Sequence, residues 1–430
     1  MVRVLALLLL ISSASNVLCQ QQDQAPAIEN GCVTRTVSLA DFDVNGFHVV
    51  AGKKTTFWIN YSGGLRHQAT TDPYLGQSVT IYGELNEKKR EVSATNVVFH
   101  PLNTTTLSGF ALVEHVLSPT LPGKLLLRAD GYVILINPET KTSFQKPLGA
   151  INDITTGIWI KYHGKPQSDG IVLADTAGFV ENSVVDKEAK LLDKTDYDPA
   201  SVDLDSKQST ASKLFLGRNP KKIPPYKDAA LQARVDRIGT SLIPPYQKKM
   251  PESDLSKVIF RFQLIDDPKM KDALALPSGV ILIPFQIVNS LKDDSQLATV
   301  LADNLACTLE KQTYRAKPGQ TKMTVAQIAS AAGGITLFGP ATIASSVVAA
   351  SDKRNAEDQS GRVSLGLLHD AGYDINQAPI AWWLLAAKSK QDIQETSLPP
   401  RAANLYKSIG STWRNYPETT SPPPSLQTKQ

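Results

Sequence analysis

Two stretches of this chain, about eighty residues apart, share one spacing of glycines and apolar residues. They read Gly76-x-x-Val79-x-Ile81-x-Gly83 with Val92, Ala94 and Phe99, and Gly157-x-x-Ile160-x-Tyr162-x-Gly164 with Val172, Ala174 and Phe179. Apolar residues at every second position, bounded by turn glycines, are typical of half-buried β-strands. The repeat predicts two copies of one small antiparallel module, a barrel or a sandwich. Two unrelated hairpins are the alternative, because turn glycines recur in any β protein.

The repeat lies within a region, residues 30–182, that is β-rich throughout and that we interpret as tandem modules. Its strand-like runs are Phe57–Ile59, Val79–Tyr82, Val97–Phe99, Leu125–Leu127, Tyr132–Ile136 and Ile158–Ile160. Breaks rich in Gly, Pro and Asn separate these runs, as turns do. The modules resemble the small OB-like domains of secreted bacterial proteins.

The composition is that of a globular protein long enough for two or three domains. The chain has 430 residues, of which 42% are hydrophobic and 20% are charged. A net charge of +4 is small for this length, and no dense Lys/Arg cluster is interleaved with aromatic residues. Nucleic acid is therefore excluded as a partner on electrostatic grounds.

The N-terminus has the pattern of a secretory signal peptide over residues 1–19. Arg3 supplies the positive charge, Val4–Ile11 form a short apolar run, and small residues precede Cys19. The pattern predicts a secreted or periplasmic protein, with anchoring as a lipoprotein through Cys19 as the alternative. Only Cys32 and Cys307 remain after cleavage, and two distant cysteines do not make a disulfide scaffold.

Beyond the β region the pattern changes to α+β. Residues 183–215 are charged and polar and are interpreted as a linker, and residues 413–430, with Pro422-Pro423-Pro424, as a disordered tail. Between them, residues 216–412 form a mainly helical domain. The helices are expected over Tyr226–Leu242, Asp294–Gln312, Glu357–His369 and Pro379–Lys388, and the strands over Val258–Ile265 and Gly279–Pro284.

The helix expected over Asp294–Gln312 has the frame of a zinc-binding motif with its reactive residues replaced. The motif H-E-x-x-H places two histidines one helical turn apart for zinc and a glutamate beside the first as general base. In this chain Asp303 and Cys307 occupy the two ligand positions, and Asn304 occupies the position of the base.

Four sequence blocks around this helix, over roughly residues 220 to 410, resemble the gluzincin metallopeptidases. That family contains the HtpX heat-shock protease, the Ste-type CAAX prenyl protease and the bacterial periplasmic outer-membrane assembly protease. The blocks occur in the family's order and are Asp272-Ala273-Leu274-Ala275-Leu276-Pro277-Ser278-Gly279, Gln296–Ala302, Arg354-Asn355-Ala356-Glu357 and Ala371-Gly372-Tyr373-Asp374. The resemblance implies a zincin-like metallopeptidase domain after the β modules.

The resemblance also implies roles for particular positions. Glu357 matches the family's third zinc ligand, and Gly361 stands where the family has an aspartate that orients a metal-binding histidine. The residues Ala273, Leu274, Ala275 and Leu276 match a strand edge beside the active site that can pair with an extended peptide. Zinc is the implied cofactor, and because its ligands are replaced we expect it to be absent or weakly bound.

Three interpretations of function follow. The favoured one is a catalytically degenerate peptidase that binds a polypeptide or a partner protein through its groove. The second is a divergent active zinc endopeptidase with Asp303, Cys307 and Glu357 as ligands, although a carboxamide such as Asn304 has no proton-accepting site near neutral pH. The third is a binding module that acts through the N-terminal β domain. Peripheral membrane contact and the oligomeric state are left open.

Overall fold

The structure is a computed structural model that describes residues 25–60, 65–102, 105–117, 124–180, 224–276, 279–312, 346–389 and 396–417. The predicted signal peptide, the predicted linker and the tail beyond residue 417 lie outside the described residues. The chain divides into two compact units. The first comprises the residues up to Pro101 with Gln394–Ser397, and the second comprises Leu102–Ile393 with Leu398–Gln430.

The first unit is a closed β-barrel. Its strands are β1 (Ile28–Ser38), β2 (Asp41–Val44), β3 (Phe47–Asn60), β4 (Arg66–Gln68), β5 (Ser78–Asn86) and β6 (Glu91–Phe99). Five of them close in the order β1-β5-β6-β3-β2, and β4 is attached to the outer edge of β3. The pairing of β3 with β6 is parallel and the other four pairings of the ring are antiparallel. This is the strand order of an OB-like barrel.

The second unit begins with a barrel of the same topology. Its strands are β7 (Leu107–Val116), β8 (Leu125–Ala129), β9 (Tyr132–Ile136), β10 (Lys141–Phe144), β11 (Trp159–Pro166) and β12 (Val172–Val180). The ring is β7-β8-β9-β12-β11, the β9–β12 pairing is parallel, and β10 is attached to β12. The prediction of an N-terminal region of two small β modules is thus confirmed, and both are barrels.

The sequence repeat corresponds to the last two barrel strands in each copy. Gly83 of β5 and Gly164 of β11 each lie at a register shift against the following strand. A Cβ atom at Gly83 would lie 2.1 Å from the carbonyl oxygen of Ser93, and one at Gly164 would lie 2.4 Å from that of Leu173. Both positions therefore require glycine for the same reason, the close approach of a neighbouring backbone.

Helices and a small sheet complete the second unit. They are α1 (Ala229–Leu242), α2 (Pro245–Lys249), β13 (Arg261–Ile265), β14 (Leu274–Ala275), β15 (Val280–Pro284), α3 (Phe285–Ser290), α4 (Asp294–Leu309), α5 (Ser346–Asp370), α6 (Gln377–Ser389) and α7 (Pro400–Ser408). Together with the barrels they make the chain α+β. Packing continues past the predicted boundary at residue 412, because the buried Trp413 stacks on Tyr416.

Helix α4 is the most buried helix segment of this unit that the structure describes in full. Asp293 caps its N-terminus by accepting hydrogen bonds from the backbone N–H groups of Ser295 and Gln296. Twelve of its sixteen residues are buried, including every residue from Leu297 to Ala306, so the helix is covered on all sides. Within the described ranges, no helix is both long and apolar enough to cross a membrane.

Two arginine–carboxylate pairs join the second barrel to helix α5. Arg128 of β8 donates to Glu114 at 2.8 Å and to both carboxylate oxygens of Asp370, at 2.5 and 3.1 Å. Arg362 of α5 donates to the side chain and the carbonyl oxygen of Asp130, at 2.5 and 3.0 Å. Both pairs are charge-assisted hydrogen bonds, and the side chains of Arg128, Glu114 and Asp130 are buried, so the pairs hold the barrel and the helix in one arrangement.

Glycines allow the close approach that these pairs need. Gly131, in the tight turn between β8 and β9, has a φ of +68°, and a Cβ atom there would lie 2.4 Å from the side chain of Arg362. On the helix, a Cβ atom at Gly366 would lie 2.7 Å from a carboxylate oxygen of Glu114. Residues 362, 366 and 370 are spaced four apart, so one face of α5 carries the whole contact.

The Ala371–Asp374 block ends helix α5. Gly372 has a φ of +78°, and the N–H of Tyr373 donates to the carbonyl of Leu368 at 2.9 Å, which is the pattern of a glycine-terminated helix. The hydroxyl groups of Tyr373 and Ser241 are 2.8 Å apart, which ties this end to helix α1. In this chain the block has a structural role that does not depend on any catalytic activity.

Candidate functional site

Four helices of the second unit and the start of β9 enclose a cavity of about 240 Å³. The lining residues that matter most are Tyr132, Asp303, Glu357, Trp382, Arg401 and Asn404. Two of the three predicted metal-ligand positions, Asp303 and Glu357, thus meet at one cavity although they are far apart in sequence. Gly361 also lines the cavity, one turn after Glu357.

Asp303 is buried in the third turn of α4. Its Oδ1 accepts a hydrogen bond from Ser360 Oγ at 2.9 Å, and its Oδ2 lies 4.0 Å from Arg401 Nη1. Burial raises the pKa of Asp303 above its ordinary value, and the charge of Arg401 and the bond from Ser360 oppose that rise. The carboxyl group therefore already has a neutral partner on one oxygen and a cation facing the other.

That cation belongs to Arg401, in the first turn of α7. Its Nη2 lies 3.8 Å from Glu357 Oε1, and its guanidinium carbon lies 4.2 Å from the ring centroid of Trp382. The contacts with Asp303 and Glu357 are too long for hydrogen bonds, so attraction between full charges and stacking on the indole hold the group. Burial opposes the charge of Arg401, but the neighbouring carboxylates outweigh it and raise its pKa.

Cys307, the other predicted ligand, lies one turn after Asp303 on α4. It is half-buried and free, and it is not among the residues described as lining the cavity. Burial, with a contribution from Asp303, raises the pKa of the thiol to about 12. Near neutral pH the sulfur is therefore a thiol, whereas the thiolate is the form that binds metals.

Asn304, at the position of the general base, is engaged within its own helix. Its Nδ2 donates to the carbonyl oxygen of Val300 at 2.8 Å, and the residue is buried. Asn304 is not found among the described lining residues of the cavity. The amide thus satisfies a backbone group one turn earlier and does not address a substrate.

The residues present do not fit a zinc site. Within the described ranges, no group of three His, Cys, Asp or Glu side chains is arranged to hold a metal ion. Asp303 and Glu357 come together, but a guanidinium lies beside both carboxylates, and Cys307 is not among the described lining residues of the cavity. The chemistry that this arrangement supports is recognition of charge.

The predicted groove residues form one edge of the three-stranded sheet, whose order is β13-β15-β14. β14 pairs with β15 in antiparallel fashion, and Leu276 N donates to Val280 O at 2.8 Å. Because hydrogen bonding alternates along an antiparallel strand, Ala275 directs its N–H and C=O away from β15. Among the described residues no further strand pairs with this edge.

The opposite edge of the sheet is covered. The side-chain amide of Gln232 on α1 donates to the carbonyl of Phe262 at 2.8 Å and accepts from the N–H of Leu264 at 2.9 Å. In addition, Tyr226 N donates to Leu264 O at 3.0 Å. The backbone groups of β13 are therefore satisfied by its own chain, whereas no further strand among the described residues pairs with β14.

Edge strand and cavity are neighbours. Asp272, two residues before β14, lies close enough for its charge to act on both Asp303 and Arg401. A chain paired with β14 would therefore run beside the cavity that holds Arg401.

Sequence reasoning located Asp303 and Glu357 through the spacing of a motif, but it missed Arg401 and Trp382. Arg401 follows a Pro-Pro pair at the start of a helix, and Trp382 is one of two adjacent tryptophans in an apolar helix. Neither residue has a local pattern that distinguishes it from a surface arginine or a core tryptophan.

Comparison of the chain with known protein families gives no match, and no curated protein is significantly similar to it in sequence.

Proposed function

We propose that this chain is a catalytically degenerate, zincin-like protein that binds extended polypeptide along β14 and does not cleave it. The observation that supports this most is the edge of β14, with which no further described strand pairs, near a cavity where Asp303 and Glu357 face an arginine. The four sequence blocks support the kinship with gluzincins. The polypeptide would be recognised mainly through its backbone, and this accommodates many sequences.

The lack of cleavage follows from the chemistry of the site. Peptide hydrolysis by a zincin needs a metal-bound water and a general base that removes its proton. Asn304 has no proton-accepting site near neutral pH, and its amide is bonded to Val300. General-base assistance typically contributes about 10²–10⁴-fold to the rate, so its loss alone removes most of the activity.

Binding is tested with fluorescently labelled, reduced and carboxymethylated casein, which is an extended chain, by fluorescence anisotropy. Ala275→Pro removes the outward N–H of β14, and Ala275→Gly is the matched control that keeps it. We expect about tenfold weaker binding for the proline variant, which corresponds to about 1.4 kcal/mol or one to two backbone hydrogen bonds. The glycine variant should bind within about threefold of the unmodified chain. Equal binding by all three proteins would rule out pairing along β14.

Cleavage is tested on the same substrate by mass spectrometry after incubation with added zinc. The proposal predicts intact casein. Cleavage that a chelator stops and that Glu357→Ala abolishes would instead establish the divergent active endopeptidase.

A further inference from the structure

Among the charged residues that line the cavity, Arg401 lies close to carboxylates without being hydrogen-bonded to them. Arg362 also lines the cavity, but its guanidinium is hydrogen-bonded to Asp130. Asp358 accepts a hydrogen bond from Asn404. Asp303 and Glu357 both lie within 4.0 Å of the nitrogens of Arg401, and the charge of Asp272 also acts on it.

The guanidinium of Arg401 is also positioned by stacking on the ring of Trp382. Its carbon lies 4.2 Å from the ring centroid of Trp382, a distance at which a cation is attracted to the face of the indole. A planar delocalised cation stacks on an aromatic ring and can face carboxylates with its edge at the same time. Trp382 on α6, Asp303 on α4 and Glu357 on α5 thus contribute to one receptor for a guanidinium group.

A metal ion would need the same carboxylates at much shorter range. Zinc binds carboxylate oxygens at about 2.0–2.2 Å, and a guanidinium beside both carboxylates blocks that approach by its bulk and opposes it by its charge. The disagreement between this residue set and a zinc site therefore has a physical cause in the chain itself.

We propose that Arg401 is the resident cation of this site and that Asp303, Glu357 and Trp382 form a guanidinium-binding site in the wall of the cavity. The correspondence of this site with the metal site of related peptidases rests on the proposed function. The binding of the guanidinium does not depend on that function. The site then binds planar cations, and the side chain of Arg401 supplies that cation.

The test is chemical rescue of the full chain carrying Arg401→Ala. Its thermal unfolding midpoint is measured with up to about 20 mM guanidinium chloride, well below denaturing concentrations, and with sodium chloride at the same ionic strength. We expect guanidinium, and not sodium, to raise the midpoint of the variant by a few degrees. The unmodified chain should show no rise, because its site is already filled.

The matched control is Arg234→Ala. Arg234 is also partly buried and pairs with a carboxylate, Asp294, but it is stacked on no aromatic ring among the described contacts and does not line the cavity. Guanidinium should not raise its midpoint. Adding Asp303→Asn and Glu357→Gln to Arg401→Ala should abolish the rescue, because the two carboxylates within 4.0 Å of the cation are gone.

Equal midpoints with guanidinium and with sodium for Arg401→Ala, or an equal rise for Arg234→Ala, would overturn the proposal. If Arg401→Ala does not fold, Arg401→Gln retains most of the aliphatic stem and is subjected to the same comparison. The assay contains no polypeptide, so its failure leaves binding along β14 untouched, and loss of casein binding leaves the guanidinium site untouched.

Discussion

Arginines face carboxylates in two different ways within the second unit. Arg128 and Arg362 are 1% and 18% exposed and donate hydrogen bonds of 2.5–3.1 Å to their acidic partners. Arg401 is 31% exposed, and its carboxylate contacts are 3.8 and 4.0 Å long. The first two join the barrel to helix α5, and the third lines the cavity. Removing Arg128 or Arg362 should therefore lower the free energy of unfolding, whereas removing Arg401 should mainly change what the site binds.

The largest effect is expected for Arg128→Ala. The substitution leaves the carboxylate of Glu114 buried without its cation, and breaking such a pair by removing one partner typically costs about 3–5 kcal/mol. Urea unfolding followed by circular dichroism should show a loss of this size. The control is Arg35→Ala in the first barrel, whose exposed ion pairs contribute at most about 1 kcal/mol. If Arg128→Ala lowers the free energy of unfolding no more than the control does, Arg128 does not stabilise the contact between the barrel and helix α5.

The next effect distinguishes two glycines of the same helix. Gly366→Ala would bring a Cβ atom to 2.7 Å from Glu114 Oε2, and we expect it to lower the free energy of unfolding by about 1–3 kcal/mol. Gly361→Ala meets only Leu405, at 3.6 Å, and should raise it by about 0.4–1 kcal/mol, because alanine favours the helix. Both are measured by urea unfolding. The same sign for the two substitutions would show that the contact between barrel and helix is not tight.

Acid should weaken the ion pair between Arg128 and Asp370. The effect on stability should be smaller, because Asp370 is partly exposed. Although burial opposes its ionisation, Arg128 and His369 hold the pKa of Asp370 well below its usual range. An acid whose pKa is lowered by folding stabilises the folded chain above its unfolded pKa, and this stabilisation is lost as the pH falls below about 4. The difference in unfolding midpoint between the unmodified chain and Asp370→Asn should therefore shrink between pH 5 and about pH 2. A constant difference would show that Asp370 does not act through its charge.

The smallest loss of stability is expected for Arg401→Ala. Its long ionic contacts and its stacking on Trp382 together suggest a loss of about 1–2 kcal/mol, below that of Arg128→Ala. Urea unfolding of the two variants side by side measures the order directly. A loss equal to that of Arg128→Ala would mean that Arg401 stabilises the fold as strongly as Arg128 does.

The barrels could be predicted from the sequence because their determinants are local. Gly83 and Gly164, with alternating apolar neighbours, mark the same bulge in each copy. Helix α4 was predicted over Asp294–Gln312 and is observed over Asp294–Leu309, because its apolar residues Leu297, Val300, Leu301 and Leu305 recur at the helical period.

The candidate site could be predicted only in part. The spacing of a motif brought attention to Asp303 and Glu357, which do meet at the cavity, and to Cys307, which is not found among its described lining residues. Arg401 reaches Asp303 from a helix almost a hundred residues later, and no local pattern encodes such a pairing. The bond between Arg128 and Asp370 was missed for the same reason, because the two residues are 242 positions apart.

The most direct test of the account is the zinc content of the full-length protein. The unmodified chain and the Glu357→Ala variant are incubated with excess zinc, desalted and measured by elemental analysis. If Arg401 is the cation of the site, both proteins retain far less than one equivalent of zinc. One equivalent in the unmodified chain that Glu357→Ala abolishes would contradict the account and would assign the site to the metal.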